Sequence, residues 1–115
     1  MINNITTTSE HVILLSGSMI SEISNCSITD IDKTAYHILK STITLINNMR
    51  VENAISGLYI ELSQIGMIQN SKIYNSGSNS FMNGGAMLIE NSNSTINNVT
   101  FDQNVAKFGG AMYIK

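Results

Sequence analysis

Ile46-Asn-Asn-Met-Arg-Val-Glu-Asn53 is followed 22 residues later by Ile68-Gln-Asn-Ser-Lys-Ile-Tyr-Asn75. Both stretches read Ile-x-Asn-x-x-apolar-x-Asn. The pattern also stands upstream at Ile23–Asn25–Ile28–Asp30. Downstream it returns at Ile96–Asn98–Phe101, with Asn104 one residue late. A worn copy opens the chain at Ile2–Asn4–Thr7. The isoleucines are 21, 23, 22 and 28 residues apart. A period of about 20–30 residues marks a solenoid, because one such repeat cannot bury its apolar face except by stacking on the next.

The residues around the motif give the shape of a coil. Residues 35–41 read as one strand, 42–46 as a second, Asn47-Asn48 as a turn and 49–53 as a third strand. Residues 54–57 lead into the next coil. At an offset of 22, Tyr36 falls on Leu58, Ile38 on Ile60, Ser41 on Ser63, Asn48 on Asn70 and Arg50 on Lys72. Alternation supports the strands. Cys26/Ile28, Met49/Val51, Ser71/Ile73 and Val99/Phe101 share one face; Ser27, Arg50, Lys72 and Thr100 share the other. In the first strand Leu58/Ile60, Met87/Ile89 and Met112/Ile114 read inward, whereas Tyr59/Glu61, Leu88/Glu90 and Tyr113/Lys115 read outward. Three short strands per 22–28 residues describe an all-β parallel β-helix. About four full coils plus partial ends are expected, stacked at about 4.8 Å. Right-handed crossovers of parallel strands are the rule, so a right-handed helix is expected.

Two columns follow. Ile23, Ile46, Ile68 and Ile96 are expected to form a continuous core column. Asn4, Asn25, Asn48, Asn70 and Asn98 each follow the isoleucine by two residues. Asparagine tolerates left-handed backbone, and its amide both donates and accepts, so these side chains are expected to form a buried hydrogen-bonded ladder. The third connection varies most, and Ser76-Gly-Ser-Asn-Ser80 reads as a flexible insert.

Composition narrows the function. The chain has 115 residues, room for a single β-helix domain over 1–115 with a modest core. With a net charge of −2 and 12% charged residues it has no basic stripe for nucleic acid. The longest aliphatic run, Val12–Leu15, cannot span a bilayer. Cys26 is the single cysteine, which excludes an internal disulfide and a cysteine-rich metal site. It reads as a buried small hydrophobe. His11 and His37 fall in different columns, so no two-histidine metal site is expected, and no motif calls for a cofactor.

Gly84-Gly85-Ala-Met87 and Gly109-Gly110-Ala-Met112 recur at an offset of 25, the second preceded by Phe101-Asp-Gln-Asn104. Paired glycines permit tight re-entry into a strand without a Cβ clash. Phe-x-x-Asn followed by Gly-Gly-Ala-apolar resembles the chlamydial polymorphic outer-membrane-protein repeat, most closely over 101–113. That resemblance implies a pectate-lyase-like (pectin lyase-like) right-handed parallel β-helix used as a surface-exposed adhesive or structural passenger.

An enzyme has to be weighed, because glycoside cleavage needs two positioned carboxylates. Glu61 and Glu90, near Tyr59 on the outward face of the first strand, are the one pair the repeat brings together. Isolated glutamates on a solvated face mostly serve solubility. Sequons stand at Asn4, Asn25, Asn93 and Asn98. With three of these in the expected buried ladder, Asn93 is the credible acceptor, in a turn between strands. The chain therefore reads as a non-catalytic structural or adhesive β-solenoid, extracellular or at the cell surface. It reads as a fragment of a longer solenoid or a repeating filament unit. Its expected partners are neighbouring coils or copies end to end, with a surface glycan or protein as ligand. A carbohydrate-binding or carbohydrate-cleaving β-helix is the rival reading.

Overall fold

In a computed structural model, residues 2–3, 6–9, 13–83 and 85–115 are described, with the backbone alone for 3, 6–9 and 78–83. Two short strands come first, β1 (Ile2–Asn3) and β2 (Thr6–Ser9). A full coil then runs through β3 (Ile13–Ser16), β4 (Met19–Ser24) and β5 (Ser27–Ile31). The next takes β6 (Thr34–Leu39), β7 (Thr42–Asn47) and β8 (Arg50–Glu52). The third holds β9 (Ser56–Glu61), β10 (Gln64–Tyr74) and β11 (Gly77–Asn83). The fourth holds β12 (Met87–Glu90), β13 (Asn93–Asp102) and β14 (Val105–Phe108), and β15 (Met112–Ile114) begins another.

Each strand pairs in parallel with its counterpart in the adjoining coil. One face is β3-β6-β9-β12-β15. The second and third faces join where β10 runs through the corner, pairing with β7 by its first half and with β8 by its second. The insert at Ser76–Ser80, expected to be a flexible loop, instead enters strand β11 at Gly77, and that strand pairs with β14. Extended backbone there finds a partner in the next coil, and so the ladder continues outward.

The isoleucine column is in register throughout: Ile2 on Ile23, Ile23 on Ile46, Ile46 on Ile68, Ile68 on Ile96. Ile23, Ile46 and Ile68 are fully buried; Ile96 is half-buried. Of the residues read as core in the last strand, Met112 is half-buried and Ile114 is 67% exposed, because no described coil covers them.

Three corners per coil turn the chain. The first corner is Gly17, Lys40, Leu62 and Asn91; the second Asn25, Asn48, Asn70 and Asn98; the third Asp30, Asn53, Asn75 and Gln103. Every one of these has positive φ, between 47° and 60°. A single left-handed residue reverses the pleat with no loop, which keeps the strands short and the coils in register. Asparagine and aspartate dominate two of the three columns because their short polar side chains tolerate this region.

A serine follows each first corner. The hydroxyls of Ser18, Ser41, Ser63 and Ser92 donate to the carbonyl two residues earlier, at 3.2, 2.8, 2.7 and 2.8 Å. The hydroxyls of Ser41, Ser63 and Ser92 also accept the serine N–H of the preceding coil: from Ser18 to Ser41 at 3.1 Å, from Ser41 to Ser63 at 3.0 Å and from Ser63 to Ser92 at 2.9 Å. Buried N–H groups must be paired, and at this bend the carbonyls are turned away, so the hydroxyl fills the gap. At the second corner Ser71 does the same for the N–H of Met49, at 3.0 Å.

Candidate functional site

The parallel register lines outward side chains into rows along the axis. On the first face, Leu14, His37, Tyr59, Leu88 and Tyr113 form one row. Leu39, Glu61 and Glu90 form the neighbouring row. The tertiary fold thus brings together Glu61 and Glu90, the carboxylate pair marked in the sequence. It adds His37, whose ring stacks on Tyr59 with centroids 4.6 Å apart and planes 9° from parallel. His37 Nε2 lies 3.7 Å from Glu61 Oε2. The Tyr59 hydroxyl donates to Glu90 Oε2 at 2.9 Å, and Lys115 Nζ is 3.3 Å from Glu90 Oε1. The Tyr59 hydroxyl and the Lys115 ammonium hold the Glu90 carboxyl below its ordinary range. Desolvation, then the bond to Glu90, pushes Tyr59 up to about 12. Among the described residues no three His, Cys, Asp or Glu side chains gather as metal ligands. His11 lies outside the described residues.

The third face carries a second cluster. Arg50 lies beside Lys72, and Glu52 beside Tyr74, in the register of β8 and β10. Arg50 Nη2 donates to the Tyr74 hydroxyl and sits 3.4 Å from Glu52 Oε2. The Tyr74 hydroxyl in turn donates to Glu52 Oε2 at 2.5 Å. Lys72 Nζ stands 4.6 Å from the centroid of the Tyr74 ring, within cation–π range.

The asparagine column is hydrogen-bonded but not buried. Asn48 Nδ2 donates to Asn25 Oδ1 at 2.7 Å, and Asn98 Nδ2 to Asn70 Oδ1 at 2.7 Å. Asn70 Nδ2 reaches Asn47 Oδ1, at 3.0 Å, in place of Asn48. Asn25, Asn48, Asn70 and Asn98 are all exposed. The expectation of burial fails because a left-handed corner residue directs its side chain away from the core. Asn4 lies outside the described residues. The same finding corrects the sequon reading, since Asn25 and Asn98 are as exposed as Asn93. Asn93 itself opens strand β13 and does not sit in a turn.

Of the repeat glycines, Gly84 is outside the described residues. A Cβ on Gly85 would stand 2.5 Å from the carbonyl oxygens of Gly110 and Val105, so a side chain there would push the coils apart. Gly109 has φ +61°, and Gly110 faces the Asn104 carbonyl. Cys26 is buried, as read, and its thiol donates to the Ser24 carbonyl at 3.2 Å in the manner of the corner serines.

The model of the family described as "Right handed beta helix region" matches residues 3–115. The chain belongs to the right-handed β-helix family. No curated protein and no solved structure matched the chain. In a right-handed β-helix the outward rows are the surface open to other molecules, because the interior is closed by stacked apolar columns. In this β-helix no described helix is long and apolar enough to cross a membrane.

Sequence reasoning missed the serine ladder and the Arg50–Glu52–Tyr74 cluster. The match of Ser41 with Ser63 carried the first signal, and Ser18 and Ser92 extend it. The second needed the coil register, because Arg50 and Tyr74 are 24 residues apart.

Proposed function

We propose that this β-helix is a non-catalytic structural or adhesive segment, extracellular or at the cell surface, which presents its outward rows and stacks with neighbouring coils or copies. One observation carries this reading: the ionisable cluster on the first face is paired with itself, coil to coil. Glu61 approaches His37, while Glu90 accepts from Tyr59 and approaches Lys115. Held down by Tyr59 and Lys115, Glu90 would not supply the raised acid that a two-carboxylate glycosidase needs. The resemblance of 101–113 to a surface-protein repeat supports the location. Val105, Phe108 and Ile114 are exposed apolar side chains on the last described coils, and a further coil of this chain or a second copy would cover them. Asn93 is the proposed glycan acceptor, if the chain passes through a glycosylating secretory route, because the equally exposed Asn25 and Asn98 are engaged in the corner hydrogen bonds.

The test has two arms. Light scattering on the purified chain should show end-to-end species that Ile114→Lys suppresses. A monodisperse monomer at high concentration would overturn the stacking. Polysaccharide hydrolysis should be absent; cleavage that disappears on Glu61→Gln or Glu90→Gln would replace this reading with the carbohydrate-cleaving one. The aromatic and acidic row of His37, Tyr59, Glu61 and Glu90 is what favours that second reading.

A further inference from the structure

Apolar exposure gathers at the two ends of the stack. Among the described residues, the large apolar side chains left open are Leu14, Met19, Leu62, Val105, Phe108 and Ile114. All but Leu62 lie on the first full coil or on the last two strands. Ile114 belongs to a core column, Leu15–Ile38–Ile60–Ile89–Ile114. Ile38 and Ile60 in that column are wholly buried, Leu15 is half-buried and Ile114 is open, because the column is covered only from within.

The two end surfaces fit each other. β3 pairs with β6 and β15 with β12, so each offers one backbone edge with no described partner. Set in parallel on β15, the β3 edge of a second copy places Ile13 on Met112, Leu14 on Tyr113 and Leu15 on Ile114. Inward side chains then meet inward ones and outward meet outward, as at every internal pairing of this face. The same placement brings β1 and β2 over β13. Ile2 takes the next position of the isoleucine column beyond Ile96, and Thr7 the next position beyond Phe101. Both contacts form together, because β1 stands one coil before β3 and β15 one coil after β13.

Charge does not oppose the fit. Open strand edges are usually guarded by charged residues. Ile2–Asn3, Thr6–Ser9 and Ile13–Ser16 carry none. On the facing end the Lys115 ammonium is 3.3 Å from Glu90 of its own chain, and the residue set against it is Ser16.

We infer that the β13–β15 end of one copy takes the β1–β3 end of a second copy, in parallel and in this register, so that copies join head to tail. The inference rests on the stacking proposed above and adds its direction and register. Such a contact uses two different surfaces and repeats without closing, whereas two like ends facing each other would run β15 antiparallel to itself and stop at a dimer.

The test blocks one end at a time. Leu15→Lys and Ile114→Lys put a charge on opposite ends of one column, and each should raise the concentration needed for association at least tenfold in analytical ultracentrifugation. Mixed in equal amounts, the two should form a dimer and nothing larger, because one open end remains on each. Register is read by disulfide trapping in Cys26→Ser, where the hydroxyl can still donate to the Ser24 carbonyl. Opposed positions on adjoining strands stand about 4.8 Å apart, within disulfide reach. A mixture of Leu14→Cys and Tyr113→Cys chains should cross-link under diamide at least tenfold faster than either alone, and faster by the same margin than Ser16→Cys with Tyr113→Cys. Every variant should keep the parent far-ultraviolet circular dichroism. A dimer formed by Leu15→Lys alone, or Tyr113→Cys chains cross-linking to each other as fast as the mixture, would overturn the head-to-tail contact and leave stacking in place. A parent chain that stays monomeric would remove the stacking itself.

Discussion

The Asn48 side-chain amide donates to Asn25 Oδ1 at 2.7 Å across one coil, while both residues hold left-handed backbone, φ 52° and 54°. Asparagine thus serves two purposes at this corner. It relieves the backbone, and its side chain links coils on the outer surface, beside the backbone bond from the Asn25 N–H to the Asn47 carbonyl at 3.2 Å.

The two contributions separate at Asn70. Asn70→Gly keeps the left-handed corner and removes the amide links to Asn47 and Asn98. It should cost about 0.5–1.5 kcal/mol in urea unfolding. Asn70→Ala keeps a Cβ in left-handed backbone without the amide that eases it there, and should cost about 1–2 kcal/mol more than the glycine variant. Equal costs for the two would show that the backbone term is absent.

Leu62 sits at a left-handed corner with φ 49° and is 48% exposed. A leucine gains little from that burial and bears the full steric penalty. Leu62→Asn should raise stability by about 0.5–1 kcal/mol. A fall in melting temperature would mean that the leucine side chain contributes more than its exposure suggests.

The serine ladder is tested at Ser63. Ser63→Ala leaves the Ser41 N–H without its acceptor in a buried position. The expected loss is about 1–3 kcal/mol, large for the removal of one oxygen. Faster amide exchange at Ser41 in this variant is the local readout.

In the core, Ile68→Ala should cost about 2–5 kcal/mol, because the side chain is enclosed by Ile46 and Ile96 in neighbouring coils. Ile96→Ala should cost less, since Ile96 is half-buried. The reverse order would contradict the register.

Tyr59 gives a test in alkali. Its hydroxyl is raised from 10.0 to about 12, chiefly by desolvation and then by Glu90. A raised folded value means the contribution to stability is whole below about pH 10. It is lost as pH climbs toward 12. Absorbance titration at 295 nm should show a late-ionising tyrosine that disappears in Tyr59→Phe. In Glu90→Gln it should move only part of the way back, since desolvation remains.

The repeat made the architecture readable from the chain alone. Ile23, Ile46 and Ile68 recur at nearly constant spacing, and a solenoid maps sequence offset directly onto spatial neighbour. The pairing of Glu61 with Glu90, 29 residues apart, could be placed from the matching alternation of Leu58–Glu61 and Met87–Glu90. The strand at Gly77–Asn83 could not, because an insert has no counterpart to align with and its pairing with Val105–Phe108 is decided by the coil above.

What the sequence determined, then, was which residues stack: period and alternation are local properties, and a one-residue slip would turn every side chain to the wrong face. What only the tertiary structure decided was direction and partnership at the corners. Asn48 and Ser41 look alike as polar residues beside an isoleucine-rich strand. One takes φ 52° and faces water; the next position after a corner, as at Ser41, turns inward and repairs the ladder. That difference of one residue depends on where the pleat reverses, and on which N–H groups the coil above leaves unpaired. The same dependence joins Arg50 to Tyr74, distant in the chain and adjacent only once β8 and β10 lie side by side.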